Sequence, residues 1–204
     1  MNILAVDCCL RLTGTALMLG DKEKIFFAQE DLGRQQSTEL PKMTERLLRK
    51  NNLSWSELDY IALTNGPGYF TGIRVGAAYS SGLAYACGVK IIPVSSLELL
   101  AYGINNQKVL TLVYAGHGFV YAWCKNFLEA GEYSHAEIIS WLEKNPDAKI
   151  ISDDPERTGL KEFEILQVKP DMKNLCELAC EKINLAVNPA ELKILYYRAP
   201  QGVN

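Results

Sequence analysis

Three groups of residues have types and spacings that chemistry could use. The first is Gly66-Pro67-Gly68-Tyr69-Phe70-Thr71-Gly72, a glycine-rich turn of the kind that rests a phosphate on backbone amides. A Walker-type loop needs four residues between its glycines and then Lys-Ser or Lys-Thr. Here Gly72 is followed by Ile73-Arg74. A dinucleotide fingerprint wants an acid at the end of the next strand, and that stretch ends Pro93-Val94-Ser95-Ser96. Free amides at a helix start can still favour an anion by ~0.3–1 kcal/mol per charge. Gly66, Pro67 and Gly68 are therefore read as a structural strand-to-helix turn. The second group is sulfur and imidazole. The vicinal pair Cys8-Cys9 has Asp7 and Leu10 as neighbours, which offer no cation to lower a thiol pKa, although Arg11 stands close by. A cysteine or serine hydrolase would need its base brought in by folding. Cys176 and Cys180, four apart on one helix face, read as buried structural thiols, and neither His117 nor His135 has the spacing that binds zinc with a cysteine pair. The third is Asp7, an acid ending an apolar run. No catalytic residue, metal ligand or cofactor is assigned.

The elements that must position these residues follow from periodicity. Asn2–Asp7, Thr13–Leu19 and Lys24–Gln29 read as strands, with a tight turn at Gly20-Asp21. Leu40, Met43, Leu47 and Leu48 recur at helical spacing, which predicts a helix over Thr38–Asn51 with Pro41 in its first turn. Ser54–Glu57 resembles a capping box; Tyr60–Thr64 is a strand, Phe70–Cys87 a helix, Lys90–Val94 a strand, and a helix opens at Ser95 or Ser96. The second half repeats the order: strands at Val109–Tyr114 and Phe119–Cys124 about a Gly116-His117-Gly118 turn, a polar stretch, a helix from Ser134 to about Lys144, and a strand at Lys149–Ser152. A helix at Cys176–Ala186 and a strand at Leu192–Arg198 are expected to complete this half.

Two halves of strand–strand–strand–helix–strand form imply an α/β fold duplicated within one chain, with lobes at 1–103 and 104–204. That unit matches the lobes of actin-like ATPases and sugar kinases, which hold a nucleotide between two copies. Such a cleft needs amides and glycines in the turn after the first strand, and an acid to position a metal. Asp7 stands where the acid would, but Cys8-Cys9-Leu10-Arg11-Leu12 is bulky and lacks glycine. The equivalent strand end in the second half is Tyr114, and His117 sits between its glycines. The cradle is eroded.

At 204 residues the chain can bury roughly 70% of its unfolded surface. Hydrophobic residues at 48% and charged residues at 22% are ordinary for a soluble globular protein. The basic run from Arg46 to Lys50 reads as a solvated helix face. No basic region precedes the first apolar run, and Asp7 interrupts it, so no secretory signal is read. Arg74 breaks the best candidate for a span of ~20 apolar residues. The six cysteines then read as reduced thiols, and a cytoplasmic protein away from membranes is expected.

The helix after the glycine turn carries Gly72, Gly76, Ser80, Ala84 and Gly88 at every fourth position, beside Ala77. Glycines in a helix cost ~1 kcal/mol each against alanine, so close backbone packing should offset them. Burial against the protein's own sheet accounts for one face. A partner helix would account for small residues around the rest.

The stretch NGPGYFTGIRVGAAYSSGLAYACGVKIIPVSSLELLA, with the opening NILAVDCC, resembles the TsaB (YeaZ) family, most specifically in GPG-x-FTG-x-R-x-G and V-SSLE. The resemblance runs from Asn2 to about Ala101 and returns in the ending LYYRAP. The family's Asp-Ala-Arg-x-Gly-Glu-Val-Tyr stretch is YAGHGFVY here, keeping Gly118, Val120 and Tyr121, and its Asp-Thr-Ser is Asp7-Cys8-Cys9. The resemblance implies an actin-like fold and a non-catalytic partner of TsaD in making N6-threonylcarbamoyladenosine on transfer RNA. It further implies a heterodimer with a TsaD-like protein, recruitment of a TsaE-like ATPase, and an interface like a four-helix bundle with two helices from each partner. The matching helices are Thr38–Asn51 and Phe70–Cys87, with Leu40, Met43, Leu47, Gly72, Gly76, Ala77, Ser80 and Ala84 as expected interface residues. A homodimer in the absence of TsaD is compatible with the same surface. The alternatives are an active actin-like ATPase or small-molecule kinase, against which the missing glycine loop after Asp7 speaks, and a peptidase, against which the missing histidine pair speaks.

Net charge −3 with no basic stripe leaves too few phosphate contacts for independent transfer-RNA binding. The isolated chain is expected to give no gel shift with transfer RNA; a shift that weakens steeply with added salt would reverse this conclusion.

Overall fold

Central strands reveal themselves by being apolar on both faces. In the computed structural model, which describes residues 1–20, 24–106 and 108–197, strand β1 (Ile3–Asp7) is buried throughout. Its alternation sends Ile3 and Ala5 into one core and Leu4 and Val6 into another. Around it, β2 (Thr13–Met18) and β3 (Ile25–Glu30) form an antiparallel meander, and β4 (Tyr60–Thr64) and β5 (Lys90–Val94) add in parallel. The sheet order is β3-β2-β1-β4-β5. Helices α1 (Gln36–Lys50) and α2 (Phe70–Cys87) cover its Leu4–Val6 face. The expected turn residue Asp21 lies outside the described residues; Gly20 before it has φ +65.

A second sheet repeats the pattern. Strands β6 (Val109–Gly116), β7 (Phe119–Cys124) and β8 (Leu128–Ser134) run antiparallel, and β9 (Lys149–Ser152) and β10 (Ile165–Gln167) add in parallel, in the order β10-β9-β6-β7-β8. Counted from β6 this is the order of the first sheet. Helix α4 (His135–Lys144), opened by a Ser134–Glu137 capping box, covers the outer face, with the single turn α5 (Pro155–Thr158) beside it. The sequence reading missed β8 and β10. Strand β8 is an edge carrying Glu129, Gly131 and Glu132, so half-exposure hides its alternation, and β10 has only three residues.

Between the sheets lies a shared helical layer. Helix α3 (Ser96–Ala101) packs on β6, while α6 (Met172–Glu181) packs across all five strands of the first sheet. One core joins Ile3, Ala5 and Met18 to Leu97, Leu100, Leu175, Ala179, Val113 and Ile151. The expectation that the last helix and a closing strand complete the second half is corrected. Helix α6 starts earlier, ends at Glu181, and closes the first sheet because that sheet's Ile3–Ala5 face needs an apolar cover. Residues 192–197 form no strand, and Arg198 lies outside the described residues.

Two helix expectations also change. A 3-10 turn at Gly33–Gln35 lets α1 begin at Gln36, so Pro41 lies beyond the first turn and removes the bond to the Ser37 carbonyl. The small-residue ridge of α2 points inward: Gly72, Gly76, Ser80 and Ala84 are all buried against the sheet, as are Leu40, Met43 and Leu47 of α1. The expectation that these side chains form a partner surface is therefore corrected. Their smallness serves the close approach of α2 to β1 and β4, since a Cβ at Gly76 would touch Cys8 and Leu63.

Ser80 is fully buried and its Oγ makes no hydrogen bond among the described residues. Ser80→Ala is expected to leave stability unchanged or raise it by up to about 1 kcal/mol. Ser80→Trp should overpack the contact and cost ~1–3 kcal/mol or more. Urea unfolding of the two variants checks both signs.

Candidate functional site

The C-terminal ends of β1, β4 and β9 converge on one cleft between the halves. Burial there acts on Asp7, which ends β1. One carboxylate oxygen accepts the Cys9 amide at 3.0 Å and the Thr64 hydroxyl at 2.5 Å. The other is buried with no hydrogen bond among the described residues. Desolvation lifts Asp7 to about 6 against the lowering effect of Thr64 and Cys9, and the charge of Asp153 lifts it further. Asp153, just past β9, accepts the Arg11 amide at 2.9 Å and is likewise pushed up by burial and by Asp154. Two acids thus approach across the cleft from the two halves.

The surroundings close this point rather than open it to a phosphate. Cys8, Cys9 and Leu10 are buried, and the turn they form presents carbonyls to α2. Tyr69 donates its amide to the Cys9 carbonyl at 2.8 Å. A Cβ on Gly72 would overlap the Cys8 carbonyl, and one on Gly68 would overlap that of Cys9, so the glycines admit the protein's own backbone where a nucleotide loop admits phosphate. Gly66 has φ +108, a conformation that excludes other residues. Its carbonyl accepts the Ser96 amide at 2.9 Å, and the Ser96 hydroxyl donates to the Pro67 carbonyl. Residues near the C-terminus seal the outside: Asn65 donates its side-chain amide to the Lys193 carbonyl at 2.9 Å, and Leu195 donates to the Asn65 carbonyl at 2.8 Å.

Next to Asp154 is a groove of about 890 Å³ bordered by Leu10, Arg11, Arg34, Gln36, Tyr69 and Arg157. Arg11 lies 3.5 Å from Asp31 and 3.8 Å from Asp154. The Arg157 guanidinium lies between the Tyr69 ring at 5.0 Å and the Tyr114 ring at 4.3 Å, tying the first half to the second. Arg11 and Arg157 are thus engaged with acids and rings of the chain itself.

Cys8, Cys9 and Cys176 are held toward the neutral thiol. Burial, reinforced by the Asp7 charge, pushes both Cys8 and Cys9 well above the usual thiol range. Burial lifts Cys176 to about 12. Arg11 turns toward Asp31 and Asp154, not toward the cysteines. Among the described residues, no three His, Cys, Asp or Glu side chains are grouped to hold a metal ion, and no helix is long and apolar enough to cross a membrane.

Sequence reasoning passed over the outward face of α2. Arg74, Ala78, Gly82, Tyr85 and Ala86 are exposed, and Ala77, an expected interface residue, is half-buried at its border. A Cβ on Gly82 would meet nothing within 4 Å, so this fold does not require glycine there. Tyr85 is 84% exposed. The signal was available: Gly82 falls outside the four-residue register of the ridge. Asp153, Asp154 and Arg157 gave no comparable signal, because only folding brings them to Asp7 and Tyr69.

A family model described as TsaD, tRNA N6-adenosine threonylcarbamoyltransferase, matches residues 28–143. The tRNA threonylcarbamoyladenosine biosynthesis protein TsaB of Haemophilus influenzae is 32% identical over 102 residues, covering 50% of this chain and 42% of that protein. TsaB of Buchnera aphidicola subsp. Schizaphis graminum is 26% identical over 152 residues, covering 72% of this chain and 68% of that protein. The crystal structure of a Pseudomonas aeruginosa protein described as similar to the peptidase YeaZ superposes with a TM-score of 0.83 at 22% identity, over 97% of this chain and 99% of that one. YeaZ from Pseudomonas aeruginosa superposes with a TM-score of 0.74, also at 22% identity, over 96% and 99%. These likenesses show the fold, an actin-like pair of sheets.

Because Asp7 stays protonated in the folded chain between its ordinary 3.8 and about 6, the folded state binds more protons than the unfolded one across that window. Stability therefore falls as pH rises through it, and the loss is complete above it. Asp7→Asn keeps an acceptor for Thr64 and Cys9 and carries no charge. It is expected to be more stable than the parent at pH 7.5 by ~1–3 kcal/mol, with the difference closing as pH falls to 4. Urea melts of both proteins across this range check the sign.

Proposed function

The chain carries a TsaD-type domain and belongs to the TsaB/YeaZ family, and from that premise we propose that it is a non-catalytic subunit in tRNA threonylcarbamoyladenosine biosynthesis. It pairs with a TsaD-like protein and recruits a TsaE-like ATPase, with lobes at 1–103 and 104–204 and α6 crossing back to the first. The observation that carries the reading is the outward face of α2. A glycine that its own fold does not need stands there at position 82, between Ala78 and Ala86 and beside the exposed Tyr85. Glycine in an exposed helix costs ~1 kcal/mol, and a second helix approaching closely offsets that cost while Tyr85 supplies buried area. The interface therefore lies on the face opposite the ridge of Gly72, Gly76, Ser80 and Ala84. The same face would serve a homodimer where no TsaD-like partner is present.

The cleft supports the non-catalytic part. Neutral buried thiols and an Asp7 enclosed by Thr64 and Cys9 argue against a peptidase, and the carbonyl-lined turn argues against an ATPase or kinase. The six free cysteines suit a reducing cytoplasm.

Gly82→Trp is expected to weaken binding of the TsaD-like partner at least tenfold, within the ~5–150-fold range of an overpacked contact, and to leave the melting temperature unchanged. Calorimetric titration with the purified partner measures it. Unaltered affinity would remove α2 from the interface.

A further inference from the structure

The two sheets have four edges, and three of them are blunted in recognisable ways. Strand β5 carries Pro93 and is capped by mutual hydrogen bonds between Ile91 and Val187. Strand β8 has a register shift against β7 between Ala122 and Cys124, and carries Glu129 and Glu132. Strand β10 is three residues long. Strand β3 is less protected, its one charge being Glu30 at its end. It holds unbroken register with β2 from Ile25↔Met18 to Glu30↔Thr13, contains neither Pro nor Lys, and has no second strand partner among the described residues. Phe26 and Phe27 on it are 42% and 51% exposed. An edge that is straight, aromatic and open is a template for another strand.

Beside this edge runs a groove of about 570 Å³ between β3 and α1, bordered by Phe26, Met43, Arg46, Leu47 and Lys50, with Glu30 as its one acid among the described residues. Helix α1 follows β3 after a short 3-10 turn and so returns along it, placing Arg46 and Lys50 on the flank away from α2. The acids of α1 are committed elsewhere, Glu39 to Lys42 at 2.8 Å and Glu45 to Arg49 at 2.9 Å. Arg46 donates to the Lys42 carbonyl, and neither Arg46 nor Lys50 has an acidic partner among the described residues. A groove between an edge strand and a helix takes an extended peptide by strand addition, in which backbone hydrogen bonds give affinity and alternate side chains give specificity.

We propose that the β3–α1 groove is a docking site for an extended segment of a partner protein, added as a sixth strand, in which every second side chain faces α1 and these positions carry both apolar residues and carboxylates. The apolar side chains lie against Phe26 over the floor made by Met43 and Leu47. The carboxylates reach Arg46 and Lys50, one helical turn apart. The site is separate from the outward face of α2 and stands whether or not that face binds a TsaD-like protein.

The test is selection of phage-displayed random decapeptides on the full chain, followed by hydrogen exchange with the synthetic winners. Enriched peptides are expected to carry apolar residues and Asp or Glu together on one set of alternate positions and to protect the amides of Ile25–Glu30. They should bind the Arg46→Glu/Lys50→Glu variant at least tenfold more weakly, with its melting temperature unchanged, and lose binding when alternate backbone amides are N-methylated. Four outcomes overturn the proposal: no enrichment, enrichment without acidic residues, protection elsewhere, or protection of β3 without peptide in a dimer detected by sedimentation. The last would assign the edge to a second copy of the chain.

Discussion

The approach of two pieces of backbone, the turn after β1 and the first turn of α2, sets the geometry of the rest. Side chains on Gly68 or Gly72 would collide with the carbonyls of Cys9 and Cys8, so α2 can lie this close to the sheet only with glycine at both positions. The four-residue ridge continues the same requirement along the helix through Gly76, Ser80 and Ala84. With that face turned inward, the small residues left outside, Ala78, Gly82 and Ala86, become the surface that another molecule can reach.

The same contact decides the chemistry. In a nucleotide-binding turn the space over a helix start is held open for phosphate by amides. Here carbonyls fill it, and the Tyr69 amide is bonded to one of them. Asp7 keeps the position of a metal-positioning acid but has lost its access to solvent, so burial drives it toward the neutral form. Of the arginines at the groove, Arg11 and Arg157 are engaged by Asp31, Asp154, Tyr69 and Tyr114. What remains is a cleft that holds the two halves together.

The two halves are also joined by exchange of cover. Helix α3 from the first half packs on the second sheet, and α6 from the end of the chain packs on the first, within one continuous core. Neither sheet could bury its inner face with its own half alone. This coupling leaves the exposed side of α2 and the edge of β3 on the outside, the two surfaces proposed for partners.

Periodicity alone placed β1, β4, α2 and β5 and the repeated order of the halves, because strands buried on both faces and long helices write their burial into neighbouring residues. The capping boxes at Ser54–Glu57 and Ser134–Glu137 were legible for the same reason: each bond joins residues three apart. The eroded cradle could also be read locally, as bulky side chains where glycines would be needed. Strand β8 was not legible, since an edge strand has no buried face on one side to enforce alternation. The direction of the small-residue ridge, the return of α6 to the first sheet, and the meeting of Asp7 with Asp153 were decided only by tertiary structure. Each depends on which surfaces are close in space across more than a hundred residues of chain or across a helix's two faces, and a sequence records that a face is small or apolar without recording what lies against it.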